Sequence, residues 1–405
     1  MRSRACRAGL LLTVALGAVP HTLESQTFSR WSTPCDGLDN TASIALGDLD
    51  GDGDLDVVFG NGMHLAQTDW VLSNDGYGML YGRRALGDSP DPSYGVALGD
   101  LDGDRDLDVV VTNDAGALTA IYRNDGKGNF SALAYLGNYR APQPRRAVAL
   151  GDLDMDGDLD AVLVGLGQDH IYLNEERGRR WSERALGLRE AGGGRATGVA
   201  LADVDGDRDI DIVVPGRYET LSVVFINDGR AGFAETRSLG AGPEDVTFVA
   251  VGDVDGDGDP DIVAAHWEQP HIVYLNDGRG HFKKGATFGS GREQTWTVAL
   301  GDMDLDGDLD AVVGNVNIGF WRSDLDGDRR DEQFGRTDRD EPSRLYLNDG
   351  AGRFLAGSSL STGTDNTRPV AVGDLDGDGD LDVVMGNTCQ PNHIFFNPLR
   401  SPKSP

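Results

Sequence analysis

Long apolar runs are missing from this sequence after its first twenty residues, so no later segment is suited to spanning a bilayer. Positive charge is scarce as well: 36 Lys and Arg stand against 67 Asp and Glu, a formal net charge of −31. A chain this acidic repels phosphate backbones, which excludes nucleic acid as an expected partner. Neither a GxSxG nor an HExxH segment occurs, so two familiar hydrolase signatures are absent. Cysteine is limited to three residues.

One of those cysteines belongs to a stretch of different composition. Arg2, Arg4 and Arg7 precede the apolar run Ala8 to Val19, the pattern of a secretion signal, read here as residues 1–18 with cleavage after Gly17 or Ala18. Cys6 leaves with it. Cys35 and Cys389 then remain in an exported, oxidising setting, with no membrane insertion expected.

What the sequence has in abundance is aspartate, arranged. In GDLDGDGDLDVV, Asp48, Asp50, Asp52 and Asp56 occupy places one, three, five and nine of a short loop, with Gly53 at place six where the chain turns. Alternating carboxylates on a tight loop converge on one point, as a hard divalent cation requires, and Asp54 at place seven supplies a carbonyl. Without a cation they repel one another. Short apolar, partly β-branched segments flank the loop, so strands rather than the helices of an EF-hand are expected, and no glutamate stands at place twelve.

The loop recurs six times. Its further copies are Asp100, Asp102, Asp104, Asp106 and Asp108; Asp152, Asp154, Asp156, Asp158 and Asp160; Asp203, Asp205, Asp207, Asp209 and Asp211; Asp253, Asp255, Asp257, Asp259 and Asp261; Asp302, Asp304, Asp306, Asp308 and Asp310; and Asp374, Asp376, Asp378, Asp380 and Asp382. First aspartates step by 52, 52, 51, 50, 49 and 72 residues, a period that signals a repeat architecture. About seven Ca²⁺ sites are expected. Place six is Arg105 and Arg208 in the second and fourth loops, where a side chain strains a left-handed backbone by roughly 1 kcal/mol. Those two sites are expected to bind more weakly.

Each loop is followed by a hairpin signal, such as RNDGKGNF from Arg123 or LNDGAGRF from Leu347. Strand, acidic loop, strand, loop, strand, hairpin and strand make a four-stranded blade, and seven make an all-β propeller over residues 27–397. The seventh unit ends too soon for its fourth strand. Phe28 lies 20 residues before Asp48, matching Leu80 to Asp100 and Phe354 to Asp374, so Phe28 to Trp31 is expected to close the ring within the last blade. In that arrangement Cys35 and Cys389 fall in loops on the face opposite the acidic loops, and a disulfide between them would pin the ends; two unrelated buried thiols are the alternative. Extra residues at about 316–341 include Asp324, Asp326, Asp328 and Glu332, read as a solvated charged insertion or an eighth cation site. Residues 398–405 are read as a disordered tail.

Repeats such as VALGDMDLDGDLDAVVGN from Val298 and RLYLNDGAGRF from Arg344 resemble FG-GAP/VCBS repeats, as in the head of integrin α subunits and many secreted bacterial proteins. The resemblance implies a seven-bladed propeller with Ca²⁺ in the loops between first and second strands. Family members include adhesion modules, lectin-like proteins and parts of carbohydrate-active enzymes, so fold does not settle function.

Seven near-identical loops argue for structural rather than catalytic metal. Functional candidates lie six residues before each first aspartate, at Ala42, Tyr94, Arg146, Thr197, Thr247, Trp296 and Arg368. Tyr94, Arg146, Trp296 and Arg368 form an aromatic and cationic set suited to stacking on sugars or side chains and pairing with carboxylates. Ordinary packing between blades is the competing reading. His170 and His393 read as strand-end packing; His64 and the segment His266, Trp267, Glu268 read as loops away from the acidic face. The expected function is a secreted, monomeric, non-catalytic binding or adhesion module for a protein or glycan. The alternative is a carbohydrate-active enzyme, such as a polysaccharide lyase, at the same opening.

Overall fold

The computed structural model describes residues 28–32, 39–114, 117–187, 194–218, 220–319, 335–336, 341–361 and 363–400. Residues 1–18, Cys35, the acidic cluster at 324–332 and residues 401–405 lie outside them.

Strands dominate because the apolar segments are short, β-branched and bounded by Gly, Asn and Asp. Blade 1 is built from Thr41–Gly47, Asp56–Asn61, Gln67–Asn74 and Leu80–Asp91, each antiparallel to the next. Five further blades follow, opening with Ser93–Gly99, Arg145–Gly151, Ala200–Ala202, Val246–Gly252 and Thr295–Gly301; each has four strands in series, and in blade 3 the short strand Gly194–Arg195 adds a fifth along Leu166 and Gly167. The seventh blade takes three strands from the C-terminal region, Thr367–Gly373, Asp382–Asn387 and His393–Phe396. Along the last of these runs Ser29–Ser32, with Ser29 opposite Phe396 and Ser32 opposite His393. First strands of successive blades neighbour one another around the molecule, and that of blade 7 neighbours that of blade 1. The result is an all-β, seven-bladed propeller. Ile318–Gly319 pairs with Gly335–Arg336 at the base of the insertion in blade 6.

Second strands such as Asp56–Asn61 and Asp108–Asn113 are buried along their whole length. Covered on both faces, they have no polar side to show, which explains unbroken runs such as VVF and VVV. Each apolar layer lies between two blades: Val58 and Val71 pack with Val109, Val111 and Tyr122, and the ring is completed where Val57, Phe59 and Leu72 meet Leu375, Val384 and Ile394.

A second ring, of hydrogen bonds, runs through the asparagine at or just past the end of each third strand, which in blades 1 to 6 opens the hairpin. Asn124 Nδ2 donates to Leu49 O of the preceding blade at 2.8 Å and to Leu107 O of its own acidic loop at 3.1 Å. Asn174, Asn227, Asn276, Asn348 and Asn397 reach back in the same way to Leu101, Leu153, Val204, Val254 and Met303. Asn74 completes the circle by donating to Leu375 O of blade 7 at 2.7 Å. Every acceptor is the buried apolar residue at place two of an acidic loop, so each blade grips the loop behind it.

Candidate functional site

The acidic loop organises itself around its own amides. Asp48 accepts from Gly51 N at 2.8 Å and from Gly53 N at 3.1 Å, while Asp52 accepts from Asp54 N at 3.0 Å. Asp56 at place nine is buried and accepts from Leu49 N and Asn74 N, which ties the loop to its hairpin. Asp48, Asp50 and Asp56 each bring a carboxylate oxygen within 4.8 Å of the others, and the same group of places one, three and nine recurs once per blade. Asp52 and Asp54 stand outside that group. The Asp54 carboxylate instead lies against Gly76 of the hairpin, where a Cβ would meet it at 2.3 Å and where φ is +73°, a backbone that favours glycine.

These residues fit a hard cation. Burial first, then the charges of Asp50 and Asp52, push Asp56 up to about 6. Asp160, Asp310 and Asp382, at the same place, rise to about 7 for the same reasons. Place-three oxygens Asp50 Oδ1, Asp154 Oδ1, Asp205 Oδ1 and Asp255 Oδ1 are buried without a hydrogen-bond partner. Crowded carboxylates with orphaned oxygens are the donor set of a divalent, oxygen-liganded ion.

Place six has φ between 89° and 98° where it is Gly and 77° and 80° at Arg105 and Arg208, the left-handed backbone expected from sequence. Arg105 N still donates to Asp100 at 2.9 Å, so the turn survives the substitution. Place four is left-handed too, and carries Met155 at 61° and Leu305 at 62°, a strain the sequence did not announce. Loop 2 differs further. Arg123 sits 2.6 Å from Asp102 and 2.8 Å from Asp104, supplying an internal counter-charge.

At the opposite end of the first strands, the four candidate ligand residues form two pairs. The Arg146 guanidinium lies 4.9 Å from the Tyr94 ring centre, and that of Arg368 lies 4.3 Å from Trp296. Tyr94, only 6 % exposed, is joined to His64 Nε2 through its hydroxyl at 3.0 Å, and His64 Nδ1 lies 2.7 Å from Asp114 Oδ2. Sequence reading missed Arg217, which reaches from blade 4 to within 5.1 Å of Trp296 and 5.5 Å of Trp267. Its match in position to Trp267, just past a second strand, is the signal that would have found it. Ala42 contributes nothing to these groups, and Thr197 and Thr247 are consumed in backbone bonds, Thr197 Oγ1 donating to Thr247 O at 2.6 Å.

The FG-GAP-like repeat description matches residues 100–163, 152–214, 209–264, 253–313 and 324–385, more than half of the sequence. The chain belongs to the FG-GAP-like repeat family. No curated protein matches it. Among solved structures, this FG-GAP-like propeller is similar to BBS1N in its complex with ARL6DN, at 13 % identity and TM-score 0.56 over 92 % of this chain and 98 % of that one. It is also similar to an Agrocybe aegerita lectin described as recognising non-reducing terminal N-acetylglucosamine, at 19 % identity and TM-score 0.53 over 80 % and 81 %. At these identities the likeness is one of fold.

One sequence expectation for the FG-GAP-like chain needs correction. His266 is not in a loop: it ends the second strand of blade 5, fully buried, with Nε2 3.2 Å from Glu244. Burial lowers its pKa. His170 packs at a strand end as expected, but it also lines a cavity of ≈ 430 Å³ between blades 2 and 3, with Arg145, Gln143 and Glu183. None of the four ligand candidates lines that cavity. Cys389 is an exposed free thiol among the described residues, its Sγ 2.9 Å from Asn40 Oδ1.

Proposed function

We propose that this chain is an exported binding module, braced by Ca²⁺, that presents the face opposite its acidic loops to a glycan or protein. The observation that carries the reading is the concentration of aromatic rings and guanidinium groups at that end of the first strands, in a chain otherwise dominated by carboxylates. Rings offer stacking surface and arginine offers directed donors, the two components of a recognition site. The lectin likeness supports a glycan as the first class to test.

Places one, three and nine of each loop would hold the ion, which would cancel the carboxylate repulsion; holding shape is its whole task here. Ser29–Ser32 would act as the closing strand of blade 7, and a Cys35–Cys389 bond formed on export would fasten it, with a nominal gain of roughly 5 kcal/mol in the chain-entropy picture. The module works as a monomer.

A second reading, a carbohydrate-active enzyme, is favoured by one feature: the line Asp114, His64, Tyr94 with Arg146 against the ring is arranged to move a proton at the tyrosine hydroxyl. A glycan array probed with the Ca²⁺-loaded chain, followed by product analysis of each hit, separates the two. Capture without turnover upholds the module. Cleavage lost on Tyr94→Phe upholds the enzyme, and an array without hits for the wild type counts against a glycan ligand altogether.

A further inference from the structure

Six side chains from blades 3 to 7 meet at the calcium-free opening: Arg195, on a short strand paired with blade 3, and Arg217, Tyr218, Trp267, Trp296 and Arg368. Arg217 is their centre. Its guanidinium lies 4.7 Å from the Tyr218 ring, 5.5 Å from Trp267 and 5.1 Å from Trp296. Trp296 is flanked by a second guanidinium, Arg368 at 4.3 Å, and Tyr218 by a third, Arg195 at 5.5 Å. The carboxylates facing the group are Asp245, 3.1 Å from Arg217 Nε, and Glu268, held 2.8 Å from Gln294 Nε2. Arg217 is 3 % exposed, yet its Nη1 has no hydrogen-bond partner.

Three cations gathered around three rings run against the composition of the chain. Aromatic faces hold each guanidinium in place, and Arg217, although its Nε donates to Asp245, keeps Nη1 buried without a hydrogen-bond partner. A buried unmet donor of this kind is satisfied by an incoming anion, and the planar guanidinium fork matches a carboxylate. The rings add a second requirement. Trp267 and Trp296 stand at 82° with centres 6.4 Å apart, and Tyr218 is 42 % exposed beside them, so the group forms a corner of perpendicular apolar walls. Perpendicular apolar walls beside guanidinium donors suit the apolar face of one sugar ring that carries an acidic substituent.

Resting on the binding-module reading above, we infer that this opening recognises a carboxylate-bearing pyranose, a uronate-type sugar. The rings stack on its apolar face, and Arg195, Arg217 and Arg368 surround its carboxylate. Because the whole molecule is strongly acidic, the site suits a short or terminal acidic residue, since a long polyanion would be repelled before contact.

The test is calorimetric titration of the full Ca²⁺-loaded chain with a glucuronate-terminated trisaccharide, its glucose-terminated counterpart and a glutamate-rich peptide. The uronate is expected to bind about tenfold or more tighter than the neutral sugar. Arg217→Gln should erase that preference. Should Arg217→Gln fail to fold, Arg195→Gln and Tyr218→Ala, on the surface, must each weaken uronate binding while melting like the wild type. Equal affinity for both sugars, with Tyr218→Ala weakening both, overturns the acidic specificity and leaves the binding face standing. Preference for the peptide overturns the sugar class. Uronate binding indifferent to Arg195→Gln and Tyr218→Ala, or no binding to any probe, overturns the inference; array hits mapped to this face would then still uphold the broader reading.

Discussion

Removing one asparagine should loosen two blades at once. Asn124 is almost fully buried, donates Nδ2 to Leu49 O and Leu107 O, and accepts from Gly126 N. Asn124→Ala deletes both donated bonds, each worth about 1 kcal/mol net, and strands a buried carbonyl at about 1 kcal/mol more. A loss of ~3 kcal/mol lowers the melting temperature of a ring this long by about 4 °C. Asn124→Asp should be worse, because it keeps the shape but aims a carboxylate at two carbonyl oxygens in surroundings that are already acidic. The effect also has a direction. Leu49 N is bonded to Asp56, a member of the blade 1 metal group, so a change made in blade 2 should weaken ion binding in blade 1. Thermal unfolding in saturating Ca²⁺, followed by titration of the ion, reads both quantities. An alanine variant melting with the wild type, or an aspartate variant milder than alanine, would refute the reasoning.

A chelator should lower the melting temperature by many degrees, since each site filled at 100-fold over its dissociation constant contributes about 2.7 kcal/mol; an unchanged melt would count against structural metal. Arg123→Leu, which frees Asp102 and Asp104, should raise the Ca²⁺ affinity of loop 2, and unchanged or reduced affinity by calorimetry would show that the arginine does not compete. Asp69 is buried with its carboxyl pushed up to about 7 by burial, so its contribution to stability is present at pH 4 and declines as the pH rises towards 7. Asp69→Asn removes that decline, so the variant should gain on the wild type between pH 5 and pH 8 in paired melts; parallel curves would rule out the assignment. Met155→Gly and Leu305→Gly should each relieve up to about 1 kcal/mol of left-handed strain, visible as a higher denaturant midpoint.

Repetition makes the ring legible in the sequence. Asp48 to Asp56 and the hairpin asparagines carry local signals of spacing and turn chemistry, and seven copies turned each weak signal into a firm one. The turn at Gly53 was readable because only a left-handed backbone explains a glycine there; Met155 and Leu305 hid the second such turn behind ordinary side chains. Which aspartates converge was only partly readable. Alternation along a loop fixes side, not depth, and burial of Asp56 against Leu49 and Asn74 decides the group. At the other face Tyr94 and Arg146 belonged to one candidate set because each blade repeats one register, but their pairing is seen only in the fold, and Arg217 spans blades 4 to 6, a reach no period of fifty encodes.

The backward grip of the hairpin asparagines carries one more consequence. Since every unit brings both the hand it extends and the hold it offers, a unit copied or dropped by recombination arrives with its fastening already made. Such a chain can change its number of units in evolution without inventing a contact, and new breakpoints placed between units should leave the circle intact.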